Sequence, residues 1–255
     1  MGDSDRFVKR RTHAPTGFFR AEAAGLAWLS EGGARAALVY AVDDSHIELE
    51  RLHPAAPTRS AASRLGAQLA TMHAAGAGYF GCPPDGYAGP LYIGNRFMPS
   101  GQHESWGTFY VQDRVLPFLE IAVAAGNVTA TQRPDIDAAC DLISAGAFDD
   151  DEPPARLHGD LWSGNVVWTV EGAVLIDPAA HGGHRETDLA MLDLFGCPYL
   201  DMILDAYQSV RPLRPGWRAR IPLHQLHPLA VHAAGYGPSY GQALHSAALL
   251  TSELV

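Results

Sequence analysis

The segment whose residue types and spacing could best support chemistry ends at Asp177. It opens with His-Gly-Asp-Leu-Trp-Ser-Gly-Asn at 158–165, so Asp160 and Asn165 stand five residues apart. Two carboxylates and an amide oxygen are ligands that suit Mg²⁺, which also binds substrate phosphates and water. Phosphoryl transfer needs such metal ligands and a separate carboxylate to orient the acceptor hydroxyl. The segment therefore predicts phosphoryl transfer, with Asp160 as base or orienting group and with Asn165 and Asp177 as metal ligands.

A predicted β-hairpin must position these groups. Two runs rich in β-branched residues, 166–170 and 173–176, flank Glu171-Gly172, which is a turn signal. With those two residues as the loop, Asn165 and Asp177 reach the same open end of the hairpin. Kinases combine an Asp-x-x-x-x-Asn spacing with a second Asp after a short hairpin, although Gly stands here where Arg is usual before the first Asp.

A kinase also needs a phosphate-binding lysine on a strand and a glutamate on a helix. Lys9 lies in the strand-like segment 6–10. Glu22 lies in a helical pattern that begins near Thr16 and ends at a glycine pair, 32–33. Given the downstream motif, we expect Lys9 and Glu22 to pair at the nucleotide phosphates.

The chain divides into a small β-containing part and a larger helical part. Two apolar runs, 37–42 and 47–52, predict a hairpin, and the sequence His-Pro-Ala-Ala-Pro at 53–57 marks a boundary after it. A helix is expected at 60–75 with Ser60 as its N-cap. The glycine- and proline-rich stretch that follows, 76–102, is expected to be irregular. Further helices are expected at 106–125, 136–146, 186–195 and 199–210 and from residue 222 onward.

Composition excludes several classes of protein. The 18 Lys and Arg residues against 28 Asp and Glu residues give a net charge of −10, which disfavours binding to a nucleic-acid backbone. No apolar run approaches the ~20 residues of a membrane span. The three cysteines show no Cys-x-x-Cys spacing, and the first residues show no apolar leader. We therefore expect a reduced, cytoplasmic protein.

The sequence at 158–165 closely resembles the catalytic loop of the fructosamine kinases, or ketosamine-3-kinases. This family belongs to the aminoglycoside phosphotransferase and protein-kinase-like superfamily. Trp162 distinguishes the fructosamine kinases from many other members of the superfamily, which have His at that position. The resemblance continues through Ile-Asp-Pro-Ala at 176–179 and Gly-His-Arg-Glu-Thr-Asp-Leu-Ala-Met at 183–191, and it extends over nearly the whole chain.

The resemblance implies an α+β, two-lobed protein-kinase-like fold. Its β-containing N-lobe would span 1–51, and its mostly helical C-lobe would span 52–255. Glu50 and Leu52 would lie in the hinge, where backbone groups receive adenine. Family members carry two strands and a glycine-rich turn before the lysine strand, whereas Lys9 lies near the start of this sequence. Without those ~15–30 residues the implied N-lobe would lack a cover over the phosphates and leave a strand edge exposed. Either the start of the sequence is truncated or misassigned, or the protein is catalytically weak.

The reaction implied by the resemblance is ATP-dependent phosphorylation of the sugar 3-hydroxyl in a ketoamine formed by glycation. The phosphorylated adduct is unstable, so the reaction repairs the amine of a metabolite or a protein. ATP and Mg²⁺ would be the cofactors, Trp162 would line the sugar site, and His158 and Asp188 would support the catalytic loop. Neither nucleic acid nor a membrane is an expected partner, and the oligomeric state stays open.

Two alternatives stay open. One is a kinase for another small hydroxyl compound, such as an aminoglycoside, choline or homoserine, although Trp162 argues against an aminoglycoside. The other is a catalytically weak pseudokinase, which the missing glycine-rich hairpin favours. Retention of Asp160, Asn165 and Asp177 together opposes it, because a protein that only binds needs no base.

The Gly-Pro-Ser-Tyr-Gly sequence at 237–241 matches the nucleophile elbow of hydrolases, but no acid follows it in the order that such enzymes require.

Overall fold

The computed structural model describes residues 5–103 and 105–255, so the first four residues of the predicted N-lobe lie outside it. The strands are β1 (Arg6–Arg10), β2 (Val39–Val42), β3 (His46–Glu50), β4 (Leu91–Ile93), β5 (Arg96–Met98), β6 (Ala155–Leu157), β7 (Val166–Thr169), β8 (Gly172–Leu175) and β9 (His181–Gly183). The helices are α1 (Phe18–Glu31), α2 (Arg59–Ala74), α3 (Trp106–Phe109), α4 (Leu116–Ala124), α5 (Arg133–Ser144), α6 (Glu186–Leu194), α7 (Leu200–Val210), α8 (Ile221–Tyr236) and α9 (Pro238–Ser252). A π-helical segment, Tyr110–Val115, joins α3 to α4.

The N-terminal part is a three-stranded antiparallel sheet in the order β1-β3-β2, with α1 packed on one face. Ile47 and Leu49 alternate toward the core, because successive side chains of a strand point to opposite faces. Asp43 closes the β2–β3 turn by accepting hydrogen bonds from two backbone N–H groups at 2.7 and 2.9 Å. Within the described residues, β1 pairs on one side only, with β3.

The remaining part is mostly helical and contains two hydrophobic cores. The first core joins α1 and the N-terminal sheet to α2, α7 and the β7–β8 hairpin. The second core joins the β4–β5 hairpin to α3, α4, α5, α8 and α9. In the described residues, every helix is too short or too polar to span a bilayer.

Helices α2 and α7 approach unusually closely. A Cβ atom built on Gly66 would lie 2.1 Å from the backbone oxygen of Ile203, so only glycine fits there. Helix α2 also begins earlier than expected: Thr58, not Ser60, is the N-cap, and its side chain accepts a hydrogen bond from Ala61 N at 3.2 Å. The prediction of Ser60 was wrong because both residue types are good caps and the sequence alone does not rank them.

The stretch 76–102 is not wholly irregular as expected. It contains the β4–β5 hairpin, whose turn uses Gly94 in a left-handed conformation (φ 52°) followed by Asn95. Each strand has only three residues, so no alternation of polar and apolar residues was long enough to indicate it. Burial of Leu91 and Met98 in the second core stabilises the hairpin.

The β7–β8 hairpin forms as predicted, but its register differs by one residue. Thr169 pairs with Gly172, so the two loop residues are 170–171 and not 171–172. The Thr169 hydroxyl fixes this choice, because it donates to Gly172 O at 2.9 Å and accepts from Glu171 N at 3.2 Å. Asn165 and Asp177 still lie at the same open end of the hairpin. Ile176 N donates to Asn165 O there, and Asp177 follows one residue later.

Candidate active site

A cleft of about 710 Å³ lies where β1 and α1 face the segment 158–178 and helix α8. It is lined by six of the side chains that the sequence predicts as functional: Lys9, Glu22, Asp160, Trp162, Asn165 and Asp177. The structure therefore brings together residues that are up to 168 positions apart in the chain.

The ammonium of Lys9 connects three elements at one side of this cleft. Its Nζ donates to Glu22 Oε1 of α1 at 2.7 Å and also bonds to Asp177 Oδ1, beyond the end of β8. Burial by itself would lower the pKa of Lys9, but the two carboxylates outweigh it and raise that pKa above its usual value. Burial also raises the pKa of Glu22, against the opposing effect of Lys9. The lysine therefore stays charged at neutral pH.

Asp160 and Asn165 contact each other at the floor of the cleft. Asn165 Nδ2 donates to Asp160 O at 2.8 Å and to Asp160 Oδ2 at 3.0 Å. This directs the amide nitrogen of Asn165 to Asp160 and leaves its amide oxygen for another ligand. Burial raises the pKa of Asp160 to about 6, and the nearby charge of Asp177 acts in the same direction. Asp160 is therefore a carboxylate at neutral pH but a better proton acceptor than an exposed aspartate.

The backbone at Asp177 adopts a left-handed conformation, with φ of 53°. For a residue other than glycine, such a conformation costs about 1–3 kcal/mol and is concentrated at functional sites. The Asp177 side chain keeps 43% of its surface exposed, so burial of this side chain does not offset the cost. The strained backbone holds the carboxylate at the cleft, beside Lys9.

A buried carboxylate on α6 holds the loop that carries Asp160. Asp188 Oδ2 accepts from His158 N at 2.7 Å, and Asp188 Oδ1 accepts from Gly159 N at 2.9 Å. His73 Nε2 donates to the same carboxylate at 3.1 Å, and its Nδ1 accepts from the Tyr207 hydroxyl at 2.9 Å. Although burial acts against it, these donors lower the pKa of Asp188, so it stays ionised.

His158 ties the same loop to the end of β8. Its Nε2 donates to Ile176 O at 2.9 Å, and its Nδ1 accepts from Asp160 N at 3.2 Å. Burial lowers the pKa of His158, which keeps the neutral ring that this pattern requires. Gly159 is left-handed (φ 81°), and a Cβ there would lie 2.2 Å from Ala179 O. This close approach explains why glycine stands where arginine is usual.

Glu50 and Leu52, which were expected at the adenine hinge, do not line the cleft. Glu50 forms an ion pair with Arg35 at 2.7 Å, and Leu52 packs against the first core. Glu50 and Leu52 were expected to contact adenine through their backbone groups, and these side-chain contacts do not test that expectation. The hinge assignment therefore stays a prediction.

Trp162 lies at the cleft with 39% of its surface exposed, edge-on to Phe195 at a centroid distance of 6.1 Å. The ring centroids of Phe195 and His232 of α8 are 4.8 Å apart, and those of His232 and Tyr236 are 5.4 Å apart. Sequence reasoning missed His232 and Tyr236, because the residues of α8 give no signal that its end packs beside Trp162. It also missed Arg11, Tyr92 and Asn95. The Gly94-Asn95 turn was the available signal for the hairpin that carries Tyr92 and Asn95, and Arg11 had none.

The fold and cleft together define a protein-kinase-like phosphotransferase. A lysine–glutamate pair on a small antiparallel sheet and its helix faces an Asp/Asn/Asp set on a helical lobe, as the sequence predicts for phosphoryl transfer. An aminoglycoside phosphotransferase that has been solved with AMP-PNP and hygromycin B bound shows the same fold. Its TM-score is 0.60 at 17% identity, over 92% of this chain and 83% of that one.

Comparison with known proteins is more specific. The family model for fructosamine kinase matches residues 1–251. A structure from Thermobifida fusca, assigned as a fructosamine-3-kinase, has 47% identity and a TM-score of 0.90, over 97% of this chain and 85% of that one. An Enterococcus faecium protein assigned as a ketoamine kinase is 33% identical, over 92% of this chain and 83% of its own length. The chain belongs to the fructosamine kinase family and is a kinase-type phosphotransferase.

Replacement of Asp188 by asparagine tests whether this carboxylate orders the catalytic loop. The amide can accept from only one side, so one buried loop N–H loses its acceptor, at a cost of about 1–3 kcal/mol. We expect Asp188→Asn to lower the urea midpoint of unfolding and to speed amide hydrogen exchange at His158 and Gly159. Asp193→Asn, an exposed aspartate on the same helix, is the control. Unchanged exchange at both loop amides would show that Asp188 does not hold the loop.

Proposed function

We propose that this protein transfers the terminal phosphoryl group of Mg·ATP to the 3-hydroxyl of a ketoamine and so promotes repair of glycated amines. One observation carries the proposal. The Lys9–Glu22 pair and the Asp160, Asn165 and Asp177 side chains line a single cleft. Membership of the fructosamine kinase family supports the ketoamine as acceptor.

In this proposal Lys9 binds nucleotide phosphates and Glu22 orients it. The β1–β3 register supports this direction of binding. Glu50, beside the expected hinge, pairs with Arg6, and Lys9 lies three residues farther along β1. At about 3.3 Å per residue, Lys9 is about 10 Å from the hinge end, toward Asp177. Adenine at the hinge would therefore direct its phosphates along β1 toward the catalytic loop.

Asn165 and Asp177 are the residues that would hold Mg²⁺. An amide oxygen and a carboxylate are hard oxygen donors, and one or two protein ligands with phosphates and water are what Mg²⁺ prefers. The Asn165 amide oxygen and the Asp177 carboxylate therefore fit this ion. When bound, Mg²⁺ neutralises negative charge on the phosphates during transfer.

Asp160 is the proposed acceptor of the hydroxyl proton. The acceptor oxygen forms a bond to the γ-phosphorus, the bond from that phosphorus to the β–γ bridging oxygen breaks, and ADP leaves. Asn165 Nδ2 keeps the Asp160 carboxylate oriented through the transfer. The aspartate positions and deprotonates the acceptor without changing its own place in the loop.

The walls of the cleft favour a sugar adduct over a polycation. Trp162 and the rings beside it offer faces on which a sugar can stack. Arg10 and Arg11 also line the cleft, and they would repel the several ammonium groups of an aminoglycoside. A neutral or anionic ketoamine meets no such penalty.

The reaction itself is tested with Mg·ATP and fructosyl-lysine. We expect phosphorus NMR to show a sugar 3-phosphate and ADP. Asp160→Asn should lower kcat by about 10²–10⁴-fold with little change in ATP affinity, because the residue acts on the acceptor proton. Asp135→Asn is the control, because Asp135 is a half-exposed aspartate on α5 that pairs with His245 and does not line the cleft. A pseudokinase would bind ATP and give no product with either chain, and a kinase for another alcohol would give product only with that alcohol.

The pH profile tests the state of Asp160. Its pKa is raised by burial to about 6, and only the carboxylate form accepts a proton. We therefore expect kcat/KM to be constant above about pH 7 and to fall tenfold per pH unit well below pH 6. A profile that stays level down to pH 4.5 would contradict Asp160 as the base. The same measurement on Asp135→Asn should reproduce the profile of the unmodified protein.

A further inference from the structure

Arg11 is a cation without a carboxylate partner at the far end of the cleft. Its Nη1 donates to Asn95 Oδ1 at 2.7 Å, and its guanidinium lies over the Phe18 ring at 5.1 Å. Both partners are uncharged, and in the described part of the chain no carboxylate lies within ion-pair distance of Arg11. Other arginines of the N-terminal part are paired: Arg6 with Glu48, Arg20 with Asp44 and Arg35 with Glu50.

The position of Arg11 along β1 places it beyond the nucleotide phosphates. Side chains two residues apart lie on the same face of a strand, so Arg11 follows Lys9 on the cleft side by about 6–7 Å. The Arg6–Glu50 pairing marks the hinge end, so Arg11 is displaced from Lys9 in the direction away from the hinge. This inference rests on the proposed function. If ATP binds in that direction, Arg11 faces the acceptor.

The β4–β5 hairpin holds this end of the cleft in place. Tyr92 OH donates to Thr16 O at 2.9 Å before α1, and Arg96 Nη2 donates to Ala234 O of α8 at 2.7 Å. The hairpin is therefore fixed to both parts of the molecule, and with it Asn95, the partner of Arg11. Arg11 is half-buried and held by two contacts, whereas the neighbouring Arg10 is exposed.

The charges around the cleft leave Arg11 available. The positive charge of Lys9 is compensated by Glu22 and Asp177, and the chain as a whole carries a net charge of −10 that repels anions. A guanidinium presents a planar fork that matches carboxylate and phosphate oxygens. A pre-positioned guanidinium with uncharged partners is suited to bind such a group.

We propose that Arg11 forms an anion-binding subsite at the acceptor end of the cleft, so that the preferred acceptor is a ketoamine bearing an anionic group. The anion is a carboxylate on the amine portion or a phosphate on the sugar. His232 and Tyr236 of α8 line the same cleft and would contact the uncharged part of the adduct. The subsite selects among ketoamines and takes no part in the bond-making step.

Steady-state kinetics with matched acceptors test this subsite. The acceptors are N-fructosyl-glycine, its amide, which lacks the carboxylate charge, and the amide phosphorylated on the sugar 6-hydroxyl. We expect the unmodified protein to prefer one anionic acceptor over the plain amide by about 10-fold or more in kcat/KM, and the preferred acceptor identifies the source of the anion. Arg11→Gln should abolish the preference while the KM for ATP changes less than about twofold. Arg11→Lys should restore part of it, because charge is kept but the fork is lost.

Arg6→Gln is the matched control, since it removes a cation from the opposite face of the same strand and should keep the preference. Equal kcat/KM for all three acceptors in the unmodified protein would overturn the subsite and leave the proposed function intact. A rise in the ATP KM of Arg11→Gln, with equal losses for every acceptor, would assign Arg11 to the nucleotide and also overturn it. Absence of phosphorylation of every acceptor would refute the proposed function, and the subsite with it.

Discussion

The ammonium of Lys9, shared between the carboxylates of Glu22 and Asp177, is the contact on which the rest of the cleft depends. It joins β1 to α1 and to a residue 168 positions away, beyond the β7–β8 hairpin. Without the cation, two partly buried carboxylates would face each other, and like charges in such surroundings raise each other's pKa. In the proposed function the same shared cation would set where nucleotide phosphates bind, since they would approach a lysine that is already oriented.

The loop that carries Asp160 is held in place by a complementary set of contacts. Its backbone N–H groups at His158 and Gly159 end on one ionised carboxylate, Asp188, which is itself fixed by His73. Because these donors bond to charge, each contact is stronger than a neutral hydrogen bond. The loop can then carry Asp160 with a raised pKa at the floor of the cleft and a strained Asp177 nearby.

Much of this site could be predicted from sequence because its spacing is local. Asp160 and Asn165 are five residues apart, and the hairpin that follows brings Asp177 to the same end. This holds although the predicted register of the hairpin was wrong by one residue. Contacts between distant elements have no such signal. The pairs Arg11–Asn95 and His73–Asp188 arise only when separate elements pack, and the short β4–β5 strands lack a period long enough to detect. The lobe boundary at residue 51 and the hinge roles of Glu50 and Leu52 stay predictions.

A crystal structure with Mg²⁺ and a non-hydrolysable ATP analogue tests the central claim most directly, because it locates the triphosphate relative to the shared lysine. The expected result is a metal ion bound by the Asn165 amide oxygen and the Asp177 carboxylate, with Lys9 on a phosphate oxygen and Asp160 facing the γ-phosphate. A triphosphate bound elsewhere, or a metal ion that contacts neither Asn165 nor Asp177, would contradict it.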